Sequence, residues 1–364
     1  MKILFVYTIG KNKYGGGERW VVDAAAGLKQ KGHEVFVGSK RGSKLLEKAA
    51  EQNVNTVAFN IVSDLSIYMA AKIASFIKRN KIDVVICKRR DLIVTGMAAK
   101  MSANPVVLVR SGSPPQDNLK NNTYLIKKLV DGIITNTETI KNSYINKGLN
   151  EKSFIKIIYN GLNVDDIIPA YNYSEKYPGK KIILSVGRLA SEKGYNYLID
   201  AAALLRRTRD DIVFYIIGDG KLKKELVNYA KERQVDDLFY FAGYCEPTAP
   251  YYKGCHIFLL PSLYEGMPNA AMEAMAYGKP VIMTNVNGAS ELSDNGNHAI
   301  LISPKNPTEI AGAINEILNN YNYYCKFGEK AKYYVRKKFR TDTMIDSIEN
   351  FILERRAKKY KKGF

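Results

Sequence analysis

The sequence predicts an α/β protein made of two doubly wound parallel-sheet domains in tandem. Three observations predict it. Short, almost wholly apolar runs alternate with amphipathic stretches of helix length, as parallel strands covered on both faces require. That alternation stops once, in a stretch rich in turn residues and charge, and then restarts. The chain has 364 residues, a length that suits two cores better than one.

The elements follow in order. In the first half, strands are expected at residues 3–7, 34–37, 84–87, 106–109 and 133–135, with helices at 18–30, 65–79 and 92–101. The break is marked by Tyr159-Asn160-Gly161, Pro169 and Tyr177-Pro178-Gly179-Lys180-Lys181. It sets a first domain at 1–168 and a second at 175–340. In the second, strands are expected at 182–186, 213–217, 238–241, 257–260 and 281–283, with helices at 194–206 and 269–277. A last helix, about 342 to 359, has no strand after it. In such sheets ligands bind beyond the carboxyl ends of the strands, and two facing sheets would share an interdomain cleft.

Composition narrows the class. An apolar fraction of 46% and a charged fraction of 25% are those of a soluble globular protein. No apolar run reaches the ~18 residues of a spanning helix. Residues 1–7 read as a strand rather than a signal peptide, because Lys11, Lys13 and a glycine cluster follow. Cys87, Cys245, Cys255 and Cys325 form no CxxC pair, and His33, His256 and His298 are scattered, so structural zinc is not expected and a reducing cytoplasm is. The net charge is +19, with 26 Lys/Arg against 13 Asp/Glu in residues 1–165. The C-terminus adds Arg355, Arg356, Lys358, Lys359, Lys361 and Lys362. Such a balance fits a solvated surface or a polyanionic partner, either nucleic acid or acidic lipid.

Three segments carry chemistry. Tyr14-Gly15-Gly16-Gly17-Glu18 opens a helix after the first strand, where consecutive glycines permit close approach of a ligand and free N–H groups favour an anion. Gly187-Arg188 and Lys193-Gly194 flank a strand-to-helix loop and place a guanidinium and an ammonium five residues apart, a pair able to clamp a diphosphate. The third segment runs from Pro261 to Glu273. Glu265 lies in its turn and Glu273 one turn into the helix, with the helix N-terminus between them near Met267 to Ala270. One carboxylate could hold sugar hydroxyls and the other ribose hydroxyls. Each segment alone is also compatible with an ordinary loop or helix start.

Taken together and in order, these segments resemble the retaining GT-B glycosyltransferases, notably glycosyltransferase family 4. Glu265 and Glu273 match the family's E-x7-E signature. Pro261-Ser262, Glu273-Ala274-Met275-Ala276 and Gly278-Lys279-Pro280-Val281 match its surroundings. Ser185-Val186-Gly187-Arg188-Leu189 with Glu192-Lys193-Gly194 resembles the donor diphosphate loop. Ile217-Gly218-Asp219-Gly220, Phe241-Ala242-Gly243-Tyr244 and Tyr159-Asn160-Gly161-Leu162-Asn163 fall at further landmarks.

The resemblance implies the GT-B fold, two facing Rossmann-like domains, with the C-terminal helix (342–364) returning to the first. It implies a nucleotide-sugar donor on the second domain and an acceptor glycan or glycolipid on the first. Arg188, Lys193 and Glu265 would be catalytic: Arg188 and Lys193 on the diphosphate, Glu265 on the donor sugar. Donor binding would also involve Gly16, Gly17, Gly187, Tyr244, Cys245, Gly266, Met267, Pro268, Asn269 and Glu273, the last on the ribose. Arg110, Ser111 and Asn160 would lie in the acceptor or sugar region. Many family members carry a His just after the strand at 106–109, where this chain reads Arg110-Ser111-Gly112.

The reaction implied is same-face substitution at the anomeric carbon, with charge growing on the leaving diphosphate. No Asp-x-Asp triplet occurs, so neither a metal nor another cofactor is expected. A role in cell-surface polysaccharide or lipopolysaccharide synthesis is expected, in the cytoplasm or peripherally on the inner face of the membrane. Residues 119–130, apolar with Lys120, Lys127 and Lys128, add modest support for an anionic membrane surface, although an ordinary core-facing helix explains them equally. The alternatives are a GT-B nucleotide-sugar epimerase or hydrolase, and a basic nucleic-acid-binding protein. The latter would need aromatics interleaved with basic residues, a pattern the first domain lacks, so no nucleic-acid partner is expected.

Overall fold

The computed structural model describes residues 1–8, 10–11, 14–115, 123–149, 151–164 and 166–361. The chain forms two compact units, Met1–Gly161 with Thr341–Phe364, and Leu162–Arg340.

Among the described residues, the first unit holds a seven-stranded sheet. Its strands are β1 (Lys2–Val6), β2 (Glu34–Ser39), β3 (Asn55–Ala58), β4 (Val84–Lys88), β5 (Val106–Ser111), β6 (Gly132–Thr135) and β7 (Ile155–Ile157), in the order β3-β2-β1-β4-β5-β6-β7. Every pairing is parallel. The period-2 alternation of a strand sorts β1 between two cores: Leu4 and Val6 face one layer, Ile3 and Phe5 the other. Each such fully buried side chain contributes about 1.5–3 kcal/mol. Glycines let the helices close on the sheet. A Cβ on Gly27 would fall 1.9 Å from Ile345 Cδ1, and one on Gly132 would fall 2.8 Å from Phe351. Ile345 and Phe351 lie on the last helix, Thr341–Lys361. That helix is tied further by Glu349, 2.8 Å from His33 Nε2, and by Lys359, 2.8 Å from Asp131. His33 is therefore structural.

The second unit holds a six-stranded parallel sheet among its described residues: β8 (Lys181–Val186), β9 (Ile212–Ile217), β10 (Phe239–Gly243), β11 (Ile257–Leu260), β12 (Val281–Thr284) and β13 (Ile300–Ile302), in the order β10-β9-β8-β11-β12-β13. One face is covered by an apolar core that includes Ile183, Leu198, Phe214, Leu259 and Ile314. Near β9 and β10 lies a tyrosine cluster. Tyr171 stacks on Tyr251 at 4.8 Å, and Tyr215 lies 4.9 Å from Tyr240.

Several expected boundaries move, each for a local reason. The helix expected at 65–79 is Ile67–Asn80, because Ser66 caps it by accepting a hydrogen bond from the Met69 N–H at 3.2 Å. The helix expected from 194 starts at Tyr195, because Gly194 adopts φ +65°. Leu238 belongs to a short 3-10 turn, and β10 starts at Phe239. The segment at 119–130 is described from residue 123. There the helix Thr123–Leu129 buries Ile126 and packs Leu129 on Gly96, whereas Tyr124 is exposed. Leu119 and Lys120 lie outside the described residues, as does Lys362.

Candidate active site

In the second unit, the loops at the carboxyl ends of β8 and β11 come together. After β8 the chain runs through Gly187-Arg188-Leu189 to a short 3-10 turn, Ser191–Lys193, before the helix Tyr195–Leu205. Three close approaches fix this path. Gly187 N–H donates to Ile217 O at 2.9 Å, and Leu189 N–H to Asp219 O at 3.0 Å. Leu263 N–H donates to Glu192 O at 2.8 Å, joining the β8 loop to the β11 loop. Two glycines make the approaches possible. A Cβ on Gly194 would sit 2.2 Å from Pro261 O, and one on Gly218 would sit 1.9 Å from Gly187 O, and both residues have positive φ.

This scaffold puts Lys193 against Glu265, with Nζ 2.5 Å from Oε1. Ser262 Oγ donates to the same oxygen at 2.7 Å. Ser262 is itself fixed, since its carbonyl accepts from Thr284 Oγ1 at the end of β12. Both charged side chains are largely shielded, Lys193 at 19% exposure and Glu265 at 12%. The Tyr195 phenol lies beneath, donating to Gly187 O at 3.3 Å. Burial, and then the Glu265 carboxylate, raise its pKa well above the usual phenol value, so it remains a neutral donor.

The other expected residues fall around this pair. Arg188 is 61% exposed and paired with Glu192, four residues on. Gly266 and Met267 form a bend before the next helix, and the Met267 side chain is buried. Pro268 occupies the N-cap position of the helix Asn269–Ala276. Glu273 lies one turn into that helix, half-buried. Tyr244 and Cys245 follow β10. The Tyr244 ring is exposed, with its hydroxyl donating to Glu246 Oε2 at 2.7 Å. Cys245 is half-buried. His256 accepts a hydrogen bond from Ile182 N–H at 3.0 Å, and burial lowers its pKa to about 4, so it is a neutral structural residue.

In the first unit, polar residues converge at the carboxyl end of the sheet. Gly16 and Gly17 begin the helix Gly16–Gln30, and Glu18 Oε2 accepts from Gly15 N–H at 3.0 Å. Arg110, from the end of β5, is 6% exposed. Its guanidinium lies 4.5 Å from the Trp20 ring centroid and donates to Asn160 Oδ1 at 2.9 Å and, weakly, to Tyr7 at 3.4 Å. Ser111 Oγ donates to Ser113 O at 2.8 Å and accepts from Tyr144 at 3.0 Å. Sequence reasoning named Arg110, Ser111 and Asn160 but not Tyr7, Trp20 or Asn136. Ser262 stands in the Pro261–Glu273 motif with no role evident from the motif itself. Ser262 precedes Glu265 by three residues in a strand-end turn, a spacing that could have flagged it as the carboxylate's donor.

Residues 171–334 match the family model for group 1 glycosyl transferases, and residues 14–166 match that for glycosyltransferase family 4. The chain belongs to the group 1, family 4 glycosyltransferases. An uncharacterized glycosyltransferase of Haemophilus influenzae is 26% identical over 344 residues, covering 90% of this chain and 93% of that one. An Escherichia coli protein is 34% identical over 158 residues, 41% of each chain, and is named UDP-Gal:alpha-D-GlcNAc-diphosphoundecaprenol alpha-1,3-galactosyltransferase. Among solved structures, Anabaena HepE in complex with UDP and glucose aligns with TM-score 0.86 over 97% of this chain and 100% of that one, at 20% identity. At that identity the likeness speaks to the fold, which is GT-B. The Lys193–Glu265 pair of this glycosyltransferase lies inside the stretch matched to the group 1 model.

Proposed function

We propose that this glycosyltransferase moves a hexosyl or related group from a nucleotide-sugar donor to a glycan or lipid-linked acceptor, with retention of anomeric configuration and without a metal ion. The observation that carries the reading is the shielded Lys193–Glu265 pair, held by Ser262 between two strand-end loops. Lys193 and Ser262 both bond Oε1 of Glu265, which leaves Oε2 to accept hydroxyls of the donor sugar. The ammonium sits beside that sugar, where charge grows on the leaving diphosphate as the glycosidic bond breaks. A preorganised cation in a shielded site stabilises such charge far more than it would in water. Arg188, with its exposed fork, would exchange Glu192 for a phosphate. Glu273 would hold the ribose, and the loop Tyr244–Cys245 the base.

Uridine diphosphate sugars are the first donors to try, since the Anabaena structure contains UDP and the Escherichia coli relative is named for UDP-galactose. That relative's diphosphoundecaprenol acceptor supports a lipid-linked acceptor here and a part in envelope glycan synthesis. Two features of the first unit support a peripheral position on an anionic membrane, for which we propose the cytoplasmic face: its excess of basic residues and a run of exposed apolar side chains. Val62, Leu65, Ile67 and Tyr68 are 89%, 59%, 72% and 75% exposed within seven residues, a display that solvent alone does not favour. No helix of the described residues is long and apolar enough to cross a membrane.

Melting in EDTA with UDP, GDP, ADP, TDP and CDP tests the reading. A bound nucleotide at ~100 times its dissociation constant raises stability by about 2.7 kcal/mol. A melting temperature unmoved by all five refutes it.

A further inference from the structure

Arg110 is an anomaly. A guanidinium stays charged at any physiological pH, and a charge removed from water is normally matched by an opposite one. Arg110 is 6% exposed, yet among the described residues its hydrogen bonds go only to neutral oxygens, Tyr7 and Asn160, and its face lies on the Trp20 ring. The neighbouring acid, Glu18, is engaged with Lys88 at 3.3 Å and with the Gly15 N–H at 3.0 Å.

Two further observations show where a missing partner fits. Asn136, directly after β6, is 5% exposed, and its side-chain oxygen is buried with no hydrogen-bond partner among the described residues. Between Asn136 and Arg110 stands Gly112. A Cβ placed on it would lie 3.5 Å from Arg110 Nη1 and 3.9 Å from Asn136 Nδ2, so the absent side chain leaves an opening bordered by two N–H donors. A Cβ on Gly17, in the first turn of its helix, would lie 3.7 Å from the same Nη1. Helix N-terminus, guanidinium and amide therefore converge on one opening at the carboxyl end of the sheet, where α/β folds bind ligands.

We propose that Arg110 and Asn136, across the opening at Gly112, hold an oxyanion carried by a sugar substrate, a phosphate or carboxylate, while the Asn136 oxygen accepts a hydroxyl of the same sugar. The inference rests on the glycosyl-transfer reading above and deepens it. An acidic group on the acceptor and the phosphate of the donor present the same oxyanion, and the experiment separates them.

Binding of UDP, glucose, glucose 6-phosphate and glucuronate is measured by titration and saturation-transfer NMR on the full chain. Wild type is compared with Arg110→Gln, Arg110→Lys, Asn136→Ala and Gly112→Ala. The last removes no donor and only fills the opening, so its effect does not depend on loss of a fold-stabilising bond. If the oxyanion belongs to the acceptor, glucose 6-phosphate or glucuronate binds at least tenfold tighter than glucose. That preference disappears in Arg110→Gln and Gly112→Ala while UDP affinity is unchanged. If it belongs to the donor, UDP affinity falls at least tenfold in the same two variants and the acidic sugars gain nothing over glucose. Wild-type behaviour of folded Arg110→Gln and Gly112→Ala toward all four probes overturns the inference. In that case UDP binding that still depends on Lys193 leaves the transferase reading standing. Absence of binding by UDP and by the other four nucleotides in wild type removes that reading, while the acidic sugars still test the opening.

Discussion

Removing Lys193 should cripple turnover far more than it unfolds the protein. The ammonium is 2.5 Å from Glu265 and 19% exposed, so it acts in a shielded setting. Loss of one preorganised donor of this kind costs about 3 kcal/mol of transition-state stabilisation, or roughly 10²-fold in turnover. Glu265→Ala should lose a similar factor by releasing the donor sugar from register. Folding stability reads differently. Lys193→Ala leaves a mostly buried carboxylate with Ser262 as its remaining side-chain partner among the described residues, a penalty on the order of 1–2 kcal/mol. Lys193→Ala/Glu265→Ala removes that orphaned charge, so its loss should be smaller than the sum of the single losses, with a coupling of about 0.5–3 kcal/mol. Initial rates of nucleotide release and urea melts supply both numbers. Lys231→Ala, exposed on the helix Lys223–Glu232, is the silent control. Near-normal turnover in both single variants, or activity lost only through unfolding, would refute the assignment.

Three further outcomes are expected. Gly194→Ala should destabilise by several kcal/mol, because its φ is +65° and its Cβ would meet Pro261 O at 2.2 Å. Gly312→Ala, in the open middle of the helix Pro307–Asn319, should instead add about 0.5–1 kcal/mol in thermal melts. Asp91 accepts from Thr8 N–H at 2.7 Å, but burial raises its pKa from 3.8 to about 6, so the folded state takes up its proton more readily than the unfolded state. That destabilising contribution is absent below about pH 4 and complete above about pH 6. Melts should therefore find Asp91→Asn more stable than wild type at pH 7–8, by up to about 3 kcal/mol, and little changed at pH 4. Sedimentation at low salt should find wild type on anionic but not neutral vesicles, at ~1 kcal/mol per basic residue near the surface, with Val62→Asp/Ile67→Asp weakening binding. Equal sedimentation with both vesicle types would rule out the membrane reading.

The fold was legible because its central strands are buried on both faces and so appear as unbroken apolar runs, as in residues 3–6 and 257–260. β3, β7 and β13 were not. They have four, three and three residues, the half-exposed sequence Asn55–Ala58 carries no period, and the other two are too short to carry one. In the candidate site, Glu265 and Lys193 were found through motifs, but their contact spans 72 residues of chain and no spacing rule reveals it. Arg110 could be named from the sequence as the residue standing where the family resemblance leads one to expect a His. Its burial against Trp20, Tyr7 and Asn160 could not, since those three residues and Arg110 itself come from four separate segments that only the sheet order brings together.

The most direct measurement is proton NMR of the reaction in EDTA, with an α-linked nucleotide sugar chosen from the melts and a panel of glycan and lipid-linked acceptors. The wild-type enzyme should release nucleoside diphosphate and build a new α-anomeric signal on the acceptor, and Lys193→Ala should do so about 10²-fold more slowly. A β-anomeric product, release of free sugar alone, a strict need for added metal, or an undiminished rate in Lys193→Ala would contradict the account.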